Sequence, residues 1–114
     1  MERVFIGLLR LRLRIRGART LKDRRRPVKS LMDRVAHRHG MVVHEIAAAM
    51  QPARVTLTLT TCGCEPRQVE AALQAVERTV LATPDLEVLD VTHDVFRWQG
   101  QESFLNGEWD TADE

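Results

Sequence analysis

The side chains best suited to chemistry in this sequence are cations that cluster between residues 10 and 29. Arginine alternates with leucine along residues 9–16, and a second cationic group follows Gly17. The planar guanidinium group carries a fork of donors that matches the oxygens of a phosphate, so such a cluster is typical of a phosphate-binding surface. We expect this surface to comprise Arg10, Arg12, Arg14, Arg16, Arg19, Lys22, Arg24, Arg25, Arg26 and Lys29.

The net charge of +1 conceals a strong asymmetry between the two parts of the chain. Residues 1–40 contain thirteen Lys and Arg against three acids, which gives 13 − 3 = +10. Residues 41–114 contain four against thirteen, which gives 4 − 13 = −9. The asymmetry indicates either a basic binding face with an acidic remainder, or two halves that neutralise each other across the fold.

Cysteine and histidine offer little for metal binding or catalysis. Cys62 and Cys64 supply at most half of a zinc site, which leaves open a site shared between two subunits. A disulfide across one residue would be strained, so we expect partly buried free thiols. His37 and His39 are two residues apart on a predicted helix and cannot share a metal, so we expect no metal and no cofactor.

The elements that must position the cations begin with a strand from Val4 to Arg16. Period-two alternation places its arginines on one face and its aliphatic residues on the other. A helix from Thr20 to Gly40 follows, with Asp23 completing a capping box. Its unpaired N–H groups and dipole would add to an anion site, although a solvated helix start with scattered ion pairs is the alternative. Pro27 predicts a kink, or a short first turn followed by a restart.

The rest of the chain predicts strand, strand, helix and strand. We expect strands at 41–49, 54–61 and 86–96 and a helix from Pro66 to Thr83, with Leu89, Val91 and Val95 of the last strand facing inward. The order βαββαβ predicts an α+β, ferredoxin-like domain over residues 1–98, with a four-stranded antiparallel sheet and both helices on one face. The first and third strands are then central. Asp90 and Asp94 of the last strand would pair internally with the arginine row, which is the alternative to phosphate contact.

The stretch GARTLKDRRRPVKSLMDRV, which follows the Leu/Arg strand, resembles the bacterial YlxP-like family of small proteins of unknown function. The segment Glu87–Val91 also fits, and the resemblance covers roughly residues 3–96. It implies a ferredoxin-like fold. It also implies a link to translation, because such proteins tend to be encoded beside translation-initiation and ribosome-maturation factors.

These observations predict a non-catalytic, cytoplasmic RNA-binding protein, associated with the ribosome and without a membrane-spanning segment. A homodimeric structural or small-ligand domain, formed through Val4, Ile6 and Leu8, is the alternative. An acylphosphatase-like hydrolase using Arg16 or Arg19 would also need an amide side chain at the site, whereas the only Asn is Asn106. Residues 99–114 form an acidic tail that either folds over the basic face or is disordered.

Overall fold

The four strands and two helices follow one another in the predicted order. The computed structural model describes residues 2–46 and 51–100, so residues 47–49 of the predicted second strand, and the tail from residue 101 onward, lie outside the described residues. The elements are β1 (Phe5–Ile15), α1 (Leu21–His39), β2 (Val43–Ile46), β3 (Arg54–Gly63), α2 (Pro66–Leu81) and β4 (Leu86–Arg97).

The sheet has the strand order β2-β3-β1-β4, and each pair of neighbours is antiparallel. Strand β1 is therefore central, with β3 on one side in a register that joins Arg14 to Arg54, and β4 on the other. This arrangement confirms the predicted ferredoxin-like α+β fold. The helices cover one face of the sheet, and we call the uncovered face, which carries Arg10, Arg12 and Arg14, the open face.

The core lies between the sheet and the helices. The odd-numbered residues of β1, from Leu9 to Ile15, are fully buried there, as predicted from their alternation with arginine. Gly7 is a point of close approach between β1 and α2, because a Cβ atom there would lie 2.5 Å from Val69 Cγ1 and 3.0 Å from Leu73 Cδ1. The absence of a side chain at Gly7 therefore lets α2 pack directly on the central strand.

Helix α1 starts and stops where the sequence predicts, but two of its interior features differ. It runs through Pro27 without interruption, which excludes a restart and leaves a kink as the other predicted effect of this proline. Its buried stripe is Arg24, Val28, Leu31 and Val35, whereas Leu21, which helical periodicity places on the same stripe, is 54% exposed. Gly40 ends the helix at φ 66°, a left-handed conformation that glycine adopts without a Cβ penalty. Among the described residues, neither helix is long and apolar enough to cross a membrane.

Strand β4 contains an irregularity that alternation alone did not predict. Arg12 pairs with Asp90 but Leu13 pairs with Val88, so Leu89 is the extra residue of a β-bulge. Val88 consequently packs against the core, together with Val91 and Val95. Leu89 is exposed, and its predicted inward orientation is wrong.

Candidate phosphate-binding surface

The turn from β1 into α1 gathers cations around a shallow depression. Residues 15–18 of the turn line it together with Lys22, Asp23, Arg26 and Pro27. Arg16, Lys22 and Arg26 are all exposed, so their charged groups are accessible from solvent. Three cations around one concave surface are suited to holding a phosphate through charge-assisted hydrogen bonds.

The start of α1 already holds a carboxylate where an external anion would bind. Asp23 accepts hydrogen bonds from the backbone N–H groups of Arg19 and Thr20 at 3.0 and 3.1 Å, and its own N–H donates to Thr20 Oγ1 at 3.1 Å. The hydrogen bond from Arg19, followed by that from Thr20, lowers the pKa of Asp23 below its ordinary value of 3.8. The N–H groups of Arg19, Thr20 and Asp23 are therefore unavailable to a ligand, which reduces the expected contribution of backbone donors to the first helical turn's own Leu21 and Lys22.

The cationic side chains after the turn are mostly solvent-facing. Lys29 forms an ion pair, because its Nζ lies 3.1 Å from Asp33 Oδ2 one helical turn later. Both members of that pair are exposed, so it contributes only about 0.3–0.5 kcal/mol. We use the term loop–helix surface for the remaining exposed cations, which are Arg16, Arg19, Lys22, Arg25 and Arg26.

Arg24 does not belong to this surface, in contrast to the sequence prediction. Its side chain is buried, with 8% of the residue exposed, and Nη1 donates to the backbone carbonyl of Arg54 at 3.0 Å. Nη2 lies 3.8 Å from Glu45 Oε1. The guanidinium therefore joins α1 to the edge of the sheet, and we remove Arg24 from the candidate phosphate contacts.

The arginine row on the open face is only partly paired. Arg10 Nη2 lies 3.5 Å from Asp90 Oδ2 and donates to Thr92 Oγ1 at 3.2 Å. Arg12 and Arg14 are exposed and form no ion pair among the described residues. Asp94, the other acid expected to neutralise the row, lies opposite Leu8 and forms no ion pair in this part of the chain. The predicted internal pairing thus accounts for Arg10 alone.

Three further residues of this region were missed from the sequence. Arg54 is exposed and lies directly opposite Arg14, where it extends the row onto β3. Phe96 and Trp98 are exposed at the far end of the open face. The alternation of β4 was a sufficient signal for Phe96, because it shares the parity of Asp90 and Asp94, which the sequence places beside the arginine row.

The cysteines and histidines are not brought together. Cys62 and Cys64 are both free and exposed, so the expected partial burial of the thiols is wrong. His39 lies 2.7 Å from Thr79 Oγ1, between the two helices, while His37 is exposed. Within residues 2–46 and 51–100, no three His, Cys, Asp or Glu side chains form a group that could hold a metal ion.

Comparison with known proteins identifies a family without an assigned activity. A family model described as "Protein of unknown function (DUF503)" matches residues 6–93. No curated protein matches the chain.

Several solved structures resemble the chain at low sequence identity. The de novo designed protein Foldit4 is 13% identical, with a TM-score of 0.47, over 86% of this chain and 99% of that chain. The structural-genomics protein YJCS is 13% identical, with a TM-score of 0.44, over 78% and 96%. An amidase of the hydantoinase/carbamoylase family from Burkholderia phymatum is 15% identical, with a TM-score of 0.46, over 85% of this chain and 28% of the amidase.

Proposed function

The chain belongs to the DUF503 family, whose description names no function, and from its exposed cations we propose that it is a non-catalytic RNA-binding protein that contacts phosphates. The contacts assigned to it are the loop–helix surface together with Arg12 and Arg14 of the open face. Arg10 and Lys29 have acidic partners and contribute less, and Arg24 contributes none.

The observation that carries this proposal is the small number of internal ion pairs. Of the thirteen Lys and Arg in residues 1–40, only Arg10, Arg24 and Lys29 form ion pairs in the described part of the chain, which leaves 13 − 3 = 10. Only two of these pairs, Arg10–Asp90 and Arg24–Glu45, reach the acidic half. Direct pairing between the halves therefore leaves most of the basic surface available to a polyanion.

The form of this surface favours contact with the backbone of a nucleic acid. Arginines predominate, and their forked donors bind phosphate oxygens in pairs. Because Asp23 already engages the N–H groups of Arg19 and Thr20 at the start of α1, the affinity depends mainly on flexible side chains. Such contacts position a ligand without reading its bases, so we expect weak dependence on sequence and strong dependence on salt.

The RNA that we propose is ribosomal. The residues from Gly17 to Arg26 resemble those of YlxP-like proteins, which tend to be encoded beside translation-initiation and ribosome-maturation factors. Ribosomal RNA also presents a dense array of phosphates, to which exposed arginines bind with release of counterions.

Co-sedimentation with ribosomes at low and high salt tests the proposal. The informative variant replaces both Arg25 and Arg26 with Glu, and the matched control replaces the exposed Arg67 and Arg78 of α2 with Glu, which changes the net charge equally. We expect wild type and control to bind at low salt and dissociate at high salt. The Arg25/Arg26 variant should bind more weakly, with the log–log salt slope reduced by about 1.4–1.8 for two lost contacts.

Two results would overturn the proposal. If wild type does not sediment with ribosomes or bind isolated RNA even at low salt, the chain is not an RNA-binding protein of this kind. If the control variant loses as much affinity as the Arg25/Arg26 variant, binding reflects the overall charge and not the loop–helix surface.

A further inference from the structure

The end of the open face opposite to the arginines carries exposed aromatic and aliphatic side chains. Leu8, Phe96 and Trp98 are 40%, 45% and 51% exposed. Phe96 lies directly opposite Ile6 of β1, whose side chain is on the same face. Large apolar side chains gathered on one open surface are a mark of a binding site in a small domain.

The two aromatic residues are held at a defined spacing. Trp98 follows β4, and its N–H donates to the carbonyl of Val4 at 2.8 Å, so the extended pairing with β1 continues past Phe96. Residues two apart on an extended chain share a face and are separated by about 6.6 Å. This is roughly twice the 3.4 Å rise per nucleotide within a stacked strand of a duplex.

The same face also carries the free arginines of β1. From Ile6, which is opposite Phe96, to Arg12 is six residues of strand, or about 20 Å. Arg14 lies two residues beyond Arg12 on β1, and Arg54 lies opposite Arg14 on β3. Between the aromatic and the cationic ends lie the outward threonines of β3, whose hydroxyl groups are both donors and acceptors.

We propose that the open face binds a single strand of RNA, with two bases stacked on Phe96 and Trp98 and the phosphates beyond them held by Arg12 and Arg14. This inference rests on the proposed function and names its substrate class. The central strands offer Arg and Thr for phosphate contact and hydrogen bonding, and the aromatic residues at the end of β4 add base stacking.

Single-stranded RNA fits this face better than a duplex does. Aromatic residues at twice the stacked spacing can each take a base only if the bases are splayed apart, and paired bases are not. An aromatic ring can stack on any base, so this site, like the phosphate contacts, would bind RNA with little dependence on its sequence. Asp90 and Asp94 lie along β4, so a strand of RNA crossing this face would follow β1 and β3 toward Arg12.

Tryptophan fluorescence gives a direct test, because the chain has two tryptophans, Trp98 and Trp109. In a Trp109→Phe background, Trp98 is the only tryptophan. We expect a short single-stranded RNA to quench its emission, while the same sequence as a duplex and an inorganic polyphosphate of similar charge leave it unchanged. Phe96→Ala should weaken single-strand binding by about 5- to 150-fold, the range for one stacked base, with little effect on duplex binding. Leu81→Ala, which removes an exposed apolar side chain at the end of α2, is the control.

The outcomes separate this inference from the proposed function. If RNA binds in a salt-dependent way but single strand and duplex bind equally, without quenching and without an effect of Phe96→Ala, RNA binding stands and the stacking site is refuted. If no RNA binds, both fail. If the chain is a dimer that Phe96→Ala dissociates, the aromatic residues are a subunit interface and the stacking site is again refuted. A truncation after Gly100 tests whether residues 101–114 occupy the aromatic site instead. If the truncation changes Trp98 emission as RNA does, and Phe96→Ala then no longer affects RNA binding, these residues are the occupant and the stacking site is refuted.

Discussion

Arg24 and Arg25 are neighbours in sequence, yet the structure predicts opposite consequences for their replacement. Arg24→Met preserves most of the buried stem but leaves the Arg54 carbonyl without its donor. A hydrogen bond from a charged donor contributes about 1.5–3 kcal/mol, and the long contact to the exposed Glu45 adds at most about 1 kcal/mol. We therefore expect Arg24→Met to lower the free energy of unfolding by about 2–3 kcal/mol.

Arg25→Met should do the reverse. Arg25 is exposed and forms no ion pair among the described residues, so its loss should change the free energy of unfolding by less than about 0.5 kcal/mol. If it contacts a phosphate, the log–log salt slope of RNA binding should fall by about 0.7–0.9. Arg24→Met should leave that slope unchanged wherever the variant is folded.

Urea unfolding gives the first quantity, and RNA titration at several salt concentrations gives the second. Both variants remove one positive charge, so each is the control for the other. The reasoning would be refuted if Arg24→Met were as stable as wild type and reduced the salt slope. That result would mean that its guanidinium is directed at a ligand and not at the Arg54 carbonyl.

Three further predictions concern stability. Gly7→Ala should destabilise the fold by about 1–3 kcal/mol in chemical unfolding, because the new methyl group meets Val69. Val69→Ala should lower the free energy of unfolding less in the Gly7→Ala background than in wild type. An equal loss in both backgrounds would contradict the steric argument. Thr20→Ala removes the N-cap and should destabilise by about 0.5–2 kcal/mol, whereas an unchanged melting temperature would mean that the cap is replaceable. Hydrogen bonds lower the pKa of Asp23 in the folded state, so its contribution to the free energy of unfolding is present above its ordinary pKa of 3.8 and is lost as the pH falls through the folded-state value. The stability difference between wild type and Asp23→Ala should therefore shrink over that pH range. A difference that stays constant would contradict this explanation.

The elements that position the site could be predicted because each has a local physical signature. The alternation of leucine and arginine in β1 predicted which residues are buried, and burial follows it residue by residue from Leu9 to Ile15. The pair Thr20 and Asp23 predicted the start of α1, and Gly40 predicted its end. In these cases the interactions that decide the structure lie within a few residues of sequence, so composition and spacing were sufficient.

The errors arose where a distant partner decides the conformation. By helical period alone Leu21 belongs to the same stripe of α1 as Arg24, and hydrophobicity favours burial of the leucine, yet the arginine is buried and the leucine is exposed. The register of β4 is set by pairing with β1, and the bulge at Leu89 exchanges the orientation of residues that alternation would place otherwise. Neither the carbonyl that Arg24 meets nor the register of β4 is encoded within its own segment.

The position of Arg24 also explains why an arginine is suited to the buried stripe. In the described residues, β2 pairs with β3 only as far as Ile46 opposite Thr56, so Arg54 lies beyond the paired segment. A side chain from α1 that reaches this point must carry a donor, and a long apolar stem lets it pass the core on the way. Leucine would fill the same volume but leave the Arg54 carbonyl without its donor. The fold thus accounts for the cation at Arg24. Lys22, Arg25 and Arg26 have no acidic partner among the described residues, and theirs is the charge that a polyanion would neutralise.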